Sequence, residues 1–301
     1  AMSDLTATLA RSFSTNYLQQ GRYDNLVIGN SVLDEATAKA ETAYRKQQKD
    51  DVPDYQVSIK GSDVEAAAKN INGLTYKGFG MLNGNSTSNL LLDYKYENPD
   101  KYNEMMEYLF GGDYPLFTHI KMEMGNDGNN STGAEACTMR YETEDADASR
   151  SPGFVMAADA KKINPNVKVS ILRWEMPKWV ADKTWSSAGG GYEAAYKWYK
   201  ETVFDAYEKY GYMLDFINTD KNETGTPDNA FIKWFSDRVK GETEFPAYID
   251  GEAQTAYKNI RIIASDENKG LKIVPAMREE NDLYISVDII GGHYRPNATD
   301  D

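Results

Sequence analysis

From residue 76 onward the chain alternates short apolar runs of strand length with longer segments of helical period, and this alternation constrains its fold more than any other feature. Parallel strands need a crossover long enough to hold a helix, so the pattern implies an α/β architecture built on a parallel sheet. Strands are expected at 76–81, 117–124, 167–172, 213–217, 260–264 and 283–290, and helices at 99–110, 152–163, 192–210 and 226–239. The helix ends carry chemical marks. Gly111 and Gly211 are stops, Asn164-Pro165 closes the second helix, and Thr226-Pro227 caps the fourth. The count of strands stops at six.

Residues 1–55 form a separate compositional zone, with an Ala/Lys/Glu/Gln-rich segment at 34–49 that has helical propensity and is ended by Asp50-Asp51-Val52-Pro53-Asp54. It carries no chemical motif. The expectation is a helical lead-in, or the tail of a preceding module, at 1–55 and a catalytic domain at 56–301.

The formal net charge of -14 argues against nucleic acid and anionic membrane surfaces as partners, since both need a basic face. No apolar run reaches membrane-spanning length, and the first residues lack a signal-peptide pattern. Cys137 is the single cysteine, so no internal disulfide forms and the compartment cannot be read from cysteine usage. Two histidines, His119 and His293, are too few for a histidine-rich zinc site. No metal and no cofactor is expected.

The stretch 213–223 reads as a buried strand opening into a polar loop, which places Glu223 just past the C-terminal end of a strand, where (β/α)-barrel enzymes keep their chemistry. Asn222 beside it offers both a donor and an acceptor to a sugar hydroxyl. Taken alone, an Asn-Glu pair in a polar loop is most often an ordinary solvated turn. After the third strand comes Arg173-Trp174-Glu175-Met176-Pro177-Lys178-Trp179, whose tryptophan faces suit the C–H-rich side of a sugar but would also cap a core. The Gly125–Gly133 loop lacks the endings of a phosphate motif.

Several segments, in order and at consistent spacing from 76 to 294, together resemble the galactocerebrosidase family, glycoside hydrolase family 59. They are Gly78-Phe79-Gly80, Thr87-Ser88-Asn89-Leu90-Leu91, His119 through Glu123 to Gly125-Asn126-Asp127-Gly128, Met139-Arg140-Tyr141 and Lys161-Lys162-Ile163-Asn164-Pro165-Asn166. The later ones are Trp174 to Trp179, Asn222-Glu223, Ile262-Ile263-Ala264-Ser265-Asp266 and Gly292-His293-Tyr294.

The resemblance implies a retaining β-galactosidase on a (β/α)8 TIM barrel, acting on galactosylceramide or a β-galactosyl glycan without a cofactor. It makes Glu223 the general acid/base and Asn222 the holder of the sugar 2-hydroxyl. Trp174, Asn130 and Ser131 then line the galactose pocket, and His293 stands near it. Lys221 occupies the place where the family usually has tryptophan. The nucleophile glutamate is expected after a seventh strand, beyond Asp301, so the chain is expected to be a fragment, truncated after strand six, without normal turnover by itself. Asp127, Glu175 and Asp266 are in-chain carboxylates at strand ends that could in principle substitute for that glutamate, and none matches the family nucleophile. Another retaining β-glycosidase of the same clan, such as a β-glucosidase, a glucosylceramidase-like enzyme or an endo-galactanase, and a non-catalytic carbohydrate-binding barrel are the alternatives. A secreted or extracytoplasmic location follows from the resemblance, and a bacterial host from the sequons, since Asn222-Glu223-Thr224 is formally a glycosylation site.

Overall fold

The computed structural model describes residues 36, 39–40, 60–62, 76–84, 86–128, 133–268 and 270–293. The chain divides into two compact units, Ala1–Tyr76 and Lys77–Asp301. The helix expected at 34–49 lies almost wholly outside the described residues, as does the expected boundary at 55/56.

The second unit is a half-barrel of six parallel strands, in spatial order identical to chain order. It begins with β1 (Phe79–Asn83), α1 (Thr87–Glu97) and α2 (Pro99–Phe110), followed by β2 (Phe117–Met124), a short 3-10 turn (Ala148–Arg150) and α3 (Pro152–Ile163). Next come β3 (Lys168–Arg173), α4 (Lys178–Ala181), α5 (Gly191–Tyr210), β4 (Phe216–Lys221), α6 (Asn229–Lys240) and α7 (Gly251–Lys258). The run closes with β5 (Arg261–Glu267), α8 (Ile273–Glu279), α9 (Asn281–Ser286) and β6 (Ile289–Gly292).

Successive strand residues face opposite sides, and β2 shows what that does here. Ile120, Met122 and Met124 are buried in the hydrophobic core, while His119, Lys121 and Glu123 take the other face. Val169, Ile171, Ile217, Ile262 and Ala264 continue the apolar face onto β3, β4 and β5. Against it lies α5, which buries Tyr192, Tyr196, Trp198, Tyr199 and Val203. Each such large side chain removed from water contributes about 1.5–3 kcal/mol before the entropy of ordering it. Cys137 is buried, with its thiol pushed up to about 11 by burial, the behaviour of a small core residue.

The helices expected at 99–110 and 152–163 and the strand at 117–124 have these limits in the structure. Four expectations need correction. A helix, α1, occupies part of the stretch between the strand expected at 76–81 and the helix expected at 99–110, and with Leu90 and Tyr96 exposed it shows no clear apolar stripe in sequence. The fourth strand does not dissolve at Asn218 but continues through Lys221, its polar residues finding partners inside the sheet. Helix α6 is capped by Asp228, which accepts from Phe231 N at 3.0 Å, so Thr226 and Pro227 lie outside it. The sixth strand is only Ile289–Gly292; the Leu283 portion of the expected run is the helix α9.

Candidate active site

Polar residues collect at the C-terminal ends of the strands. Between Ile171 and Arg173 the β3–β4 register jumps, so that Ile217 pairs with Ile171 but Lys221 pairs with Arg173. Extra residues in one strand bend it and re-aim its side chains. Directly after this irregularity, Asn222 N donates to Arg173 O at 2.8 Å and Thr224 N to Lys221 O at 3.1 Å. The turn carries Glu223 at φ 58°, in the left-handed region. A bulky side chain there costs on the order of 1 kcal/mol, a strain that concentrates at functional sites. Glu223 is partly exposed, whereas Asn222 is 2% exposed, and neither its Oδ1 nor its Nδ2 has a hydrogen-bond partner among the described residues.

On the face away from the helices, Asp266 is the hub. Its carboxylate accepts from Asn218 Nδ2 at 3.1 Å and Lys121 Nζ at 3.2 Å, and His293 Nε2 lies 3.1 Å from its other oxygen. Burial opposes charge on Asp266, but the His293 contact and the Lys121 charge outweigh it and hold the carboxyl below the usual range. His293 N also donates to Glu267 O at 2.8 Å, which fixes the start of the segment after β6. Deeper on the same face, His119 Nε2 meets Ser170 Oγ at 2.7 Å. Burial and the nearby Lys121 charge push this imidazole down to about 4, so it is neutral at ordinary pH.

The family model for glycosyl hydrolase family 59 matches residues 76–301. This chain belongs to that family. It is 29% identical over 232 residues to the galactocerebrosidase of Salmo salar, covering 75% of this chain and 31% of that protein. With the human galactocerebrosidase it shares 28% over 225 residues, covering 74% and 30%. The chain therefore spans about a third of the length of these relatives. In fold it is similar to SrfJ from Salmonella typhimurium (TM-score 0.55, 13% identity, 73% of this chain and 51% of that one). A second similar fold is an endo-β1,6-glucanase (TM-score 0.50, 15% identity, 75% and 53%).

Among the residues that the family-59 resemblance singles out, Asn222 and Glu223 share one turn, and His293 lies at the end of the neighbouring strand pair. Trp174 is half-buried just past β3. Trp179 is engaged elsewhere, donating from Nε1 to Met139 O at 2.9 Å and packing on the core. Asn130 and Ser131 lie outside the described residues. Lys221 forms an ion pair with Glu175, the residue after Trp174. Asp127 is held by Arg140 at 2.7 Å and by Cys137 N at 3.1 Å. Asp127, Glu175 and Asp266 are thus each already partnered.

Lys121, Asn218 and Asp220 were not read as site residues from sequence. Alternation along β2 could have found Lys121, since a lysine between buried Ile120 and Met122 must face a polar interior. The sequence places Asn218 and Asp220 in a polar loop, and only the longer β4 reveals that they are buried. Among the described residues no cluster of three or more His, Cys, Asp or Glu could hold a metal ion, and no helix is long and apolar enough to cross a membrane.

Proposed function

We propose that residues 76–293 carry the acid/base side of the site of a retaining β-galactosidase, whose substrate is galactosylceramide or a β-galactosyl glycan. The observation that carries this is Asn222: a buried amide whose two polar atoms find no partner among the described residues, next to a glutamate held in a left-handed turn at the end of a barrel strand. Leaving such a group without a partner costs about 1–3 kcal/mol, which a bound hydroxyl would offset.

Glu223 protonates the glycosidic oxygen as the leaving group departs, then as carboxylate takes the proton of the water that releases the sugar. Asn222 holds the 2-hydroxyl through one donor and one acceptor. The indole of Trp174 supplies an apolar wall for the sugar's C–H face, and His293, steadied by Asp266, stands at the opposite side. Asn130 and Ser131 complete the pocket in this reading. A retaining reaction needs a second carboxylate about 5–5.5 Å away. By the family resemblance it follows a seventh strand, outside these 301 residues. The reaction needs no cofactor, since the two carboxylates supply both proton transfer and nucleophile.

The same reading places the protein outside the cytoplasm. Asn222 heads the sequence Asn222-Glu223-Thr224, and a glycan on it would take the place of the sugar 2-hydroxyl, so in this reading the host leaves this sequon unmodified.

The test is Glu223→Ala in the full-length protein with an aryl β-galactoside. Turnover falls by about 10²–10⁴-fold, and azide restores it with β-galactosyl azide as product, because a small anion reaches the sugar without a general base. A fully active variant removes Glu223 from the role, and preference for the aryl β-glucoside changes the sugar.

A further inference from the structure

One buried carboxylate has no part in the chemistry above. Asp220 is 4% exposed and sits where β4 leaves simple register with β3, three residues before Glu223. Its Oδ1 accepts from Asp228 N at 3.2 Å. Among the described residues its Oδ2 has no hydrogen-bond partner, and neither has the buried Nε of Arg173.

Asp228 is itself immobilised. Its carboxylate caps α6 at Phe231 N, 3.0 Å, and accepts from Trp185 Nε1 at 2.7 Å and from Tyr192 OH at 3.5 Å. The rings of Trp185, Tyr192 and Phe231 pack on one another with centroids 4.7–5.1 Å apart. The single hydrogen bond from Asp228 N to Asp220 therefore joins the two ends of loop 221–227, and its far end is anchored in the aromatic core.

Other tethers act on the middle of the loop. Asn222 N reaches Arg173 O, Asn268 N reaches Thr224 O at 3.0 Å, and Lys272 Nζ reaches Gly225 O and Thr226 Oγ1. None of these joins its two ends. A short loop with a closed neck has far fewer conformations than one pinned only at its crown, and a general acid has to stand within hydrogen-bond reach of the departing oxygen.

We infer that Asp220 is a positioning residue for Glu223, closing the neck of loop 221–227 at the Asp228 amide and so fixing the turn from which the acid/base carboxyl reaches the glycosidic oxygen. The role of Glu223 in this statement rests on the function proposed above, whereas the closing of the neck does not. Acceptance by Oδ1 is what matters, so an amide in place of the carboxyl serves as well.

The test compares wild type, Asp220→Ala and Asp220→Asn. In backbone amide hydrogen exchange on this chain, Asp220→Ala speeds exchange at 221–228 by about tenfold or more, while Asp220→Asn stays near wild type and β2 and β3 are unchanged in both. In the full-length protein, kcat/KM is then measured for aryl β-galactosides of graded leaving ability. A displaced general acid hurts poor leaving groups and spares good ones, so the loss in Asp220→Ala is about tenfold greater for phenyl than for dinitrophenyl galactoside, and Asp220→Asn restores it. Should the alanine variant not fold, Asp220→Leu fills the volume without an acceptor and follows the same pattern.

An unchanged exchange rate at 221–228 in the variant lacking an acceptor overturns the inference. So does a loss of activity equal across leaving groups. If wild type hydrolyses no β-galactoside, the proposed function fails, and the exchange measurement alone decides whether Asp220 closes the loop.

Discussion

Asn222 and Asp220 lie two residues apart, and both trade stability for something else. An unpaired buried amide is a standing cost, so Asn222→Leu is expected to leave the fold as stable as wild type or about 1 kcal/mol more stable. In the proposed function the same change removes the partner of the sugar 2-hydroxyl. Adding galactose should raise the melting temperature of the wild-type full-length protein and not of the variant; an equal shift in both would take Asn222 out of the sugar site.

Asp220 is the clearer electrostatic case. Burial lifts its carboxyl to about 7, helped by the negative charges of Asp228 and Glu267 and opposed by the Asp228 amide and the Arg173 guanidinium. Its ordinary value is 3.8, so the folded state keeps the proton to a higher pH than the unfolded chain does. Stability from this group is fully present below about 4 and is lost as pH rises through about 7. With each pKa unit equal to about 1.4 kcal/mol, the loss amounts to a few kcal/mol. Thermal unfolding of Asp220→Asn against wild type should show melting temperatures that coincide at pH 4 and separate by pH 8, the variant being the more stable. Curves that run parallel across that range would contradict the assignment.

At the scale of elements, backbone strain gathers at one end of the sheet. The non-glycine residues with positive φ among those described are Ser86, Asp127, Glu223 and Asp266, each at or just past the C-terminal end of a strand. These ends are where a (β/α) barrel builds its site, and the turns there re-aim side chains that regular strands would bury or expose. Gly125, after β2, is a matching constraint without strain. A Cβ on it would stand 2.1 Å from Glu135 O, because the backbone of the returning loop bridges to it through Cys137. Gly125→Ala is expected to cost about 3 kcal/mol or more, since backbone rather than a flexible side chain must move. Urea unfolding of the variant checks this, and a loss below about 1 kcal/mol would show that the 125–137 connection gives way freely.

β2 also carries the half-buried, neutral His119. Its lowered folded value means stability is present above about 6.5 and falls as pH drops through about 4. Acid unfolding of His119→Gln should accordingly be less steep over that interval than that of wild type.

At the scale of the whole molecule, the sheet among the described residues ends in β1 and β6, whose Leu82 and Ile290 are 41% and 44% exposed. Parallel sheets ordinarily keep both faces and edges covered, and an open apolar edge recruits other chains. Purified as these 301 residues, the protein is expected to self-associate as concentration rises despite its charge of -14, and Ile290→Lys to reduce this in light scattering. A monodisperse monomer at high concentration would show that both edges are covered.

The parallel α/β class, the limits of α2, β2 and α3, and the family are legible in the sequence. Those rest on local signals: apolar runs of strand length, prolines and glycines at helix ends, and colinear motifs such as Ile262-Ile263-Ala264-Ser265-Asp266. Asn222 and Glu223 stand out in the sequence as candidates because they follow an apolar run, and the structure puts them in one turn at the end of β4. Only the tertiary structure decided that Asn218 and Asp220 are buried, that Lys121, Asn218 and His293 converge on Asp266, and that Asp228 closes the loop below Glu223. Each of those contacts joins different strands, or a strand to the helix after it, and polar residues in an extended strand look like loop until the neighbours that satisfy them are in place.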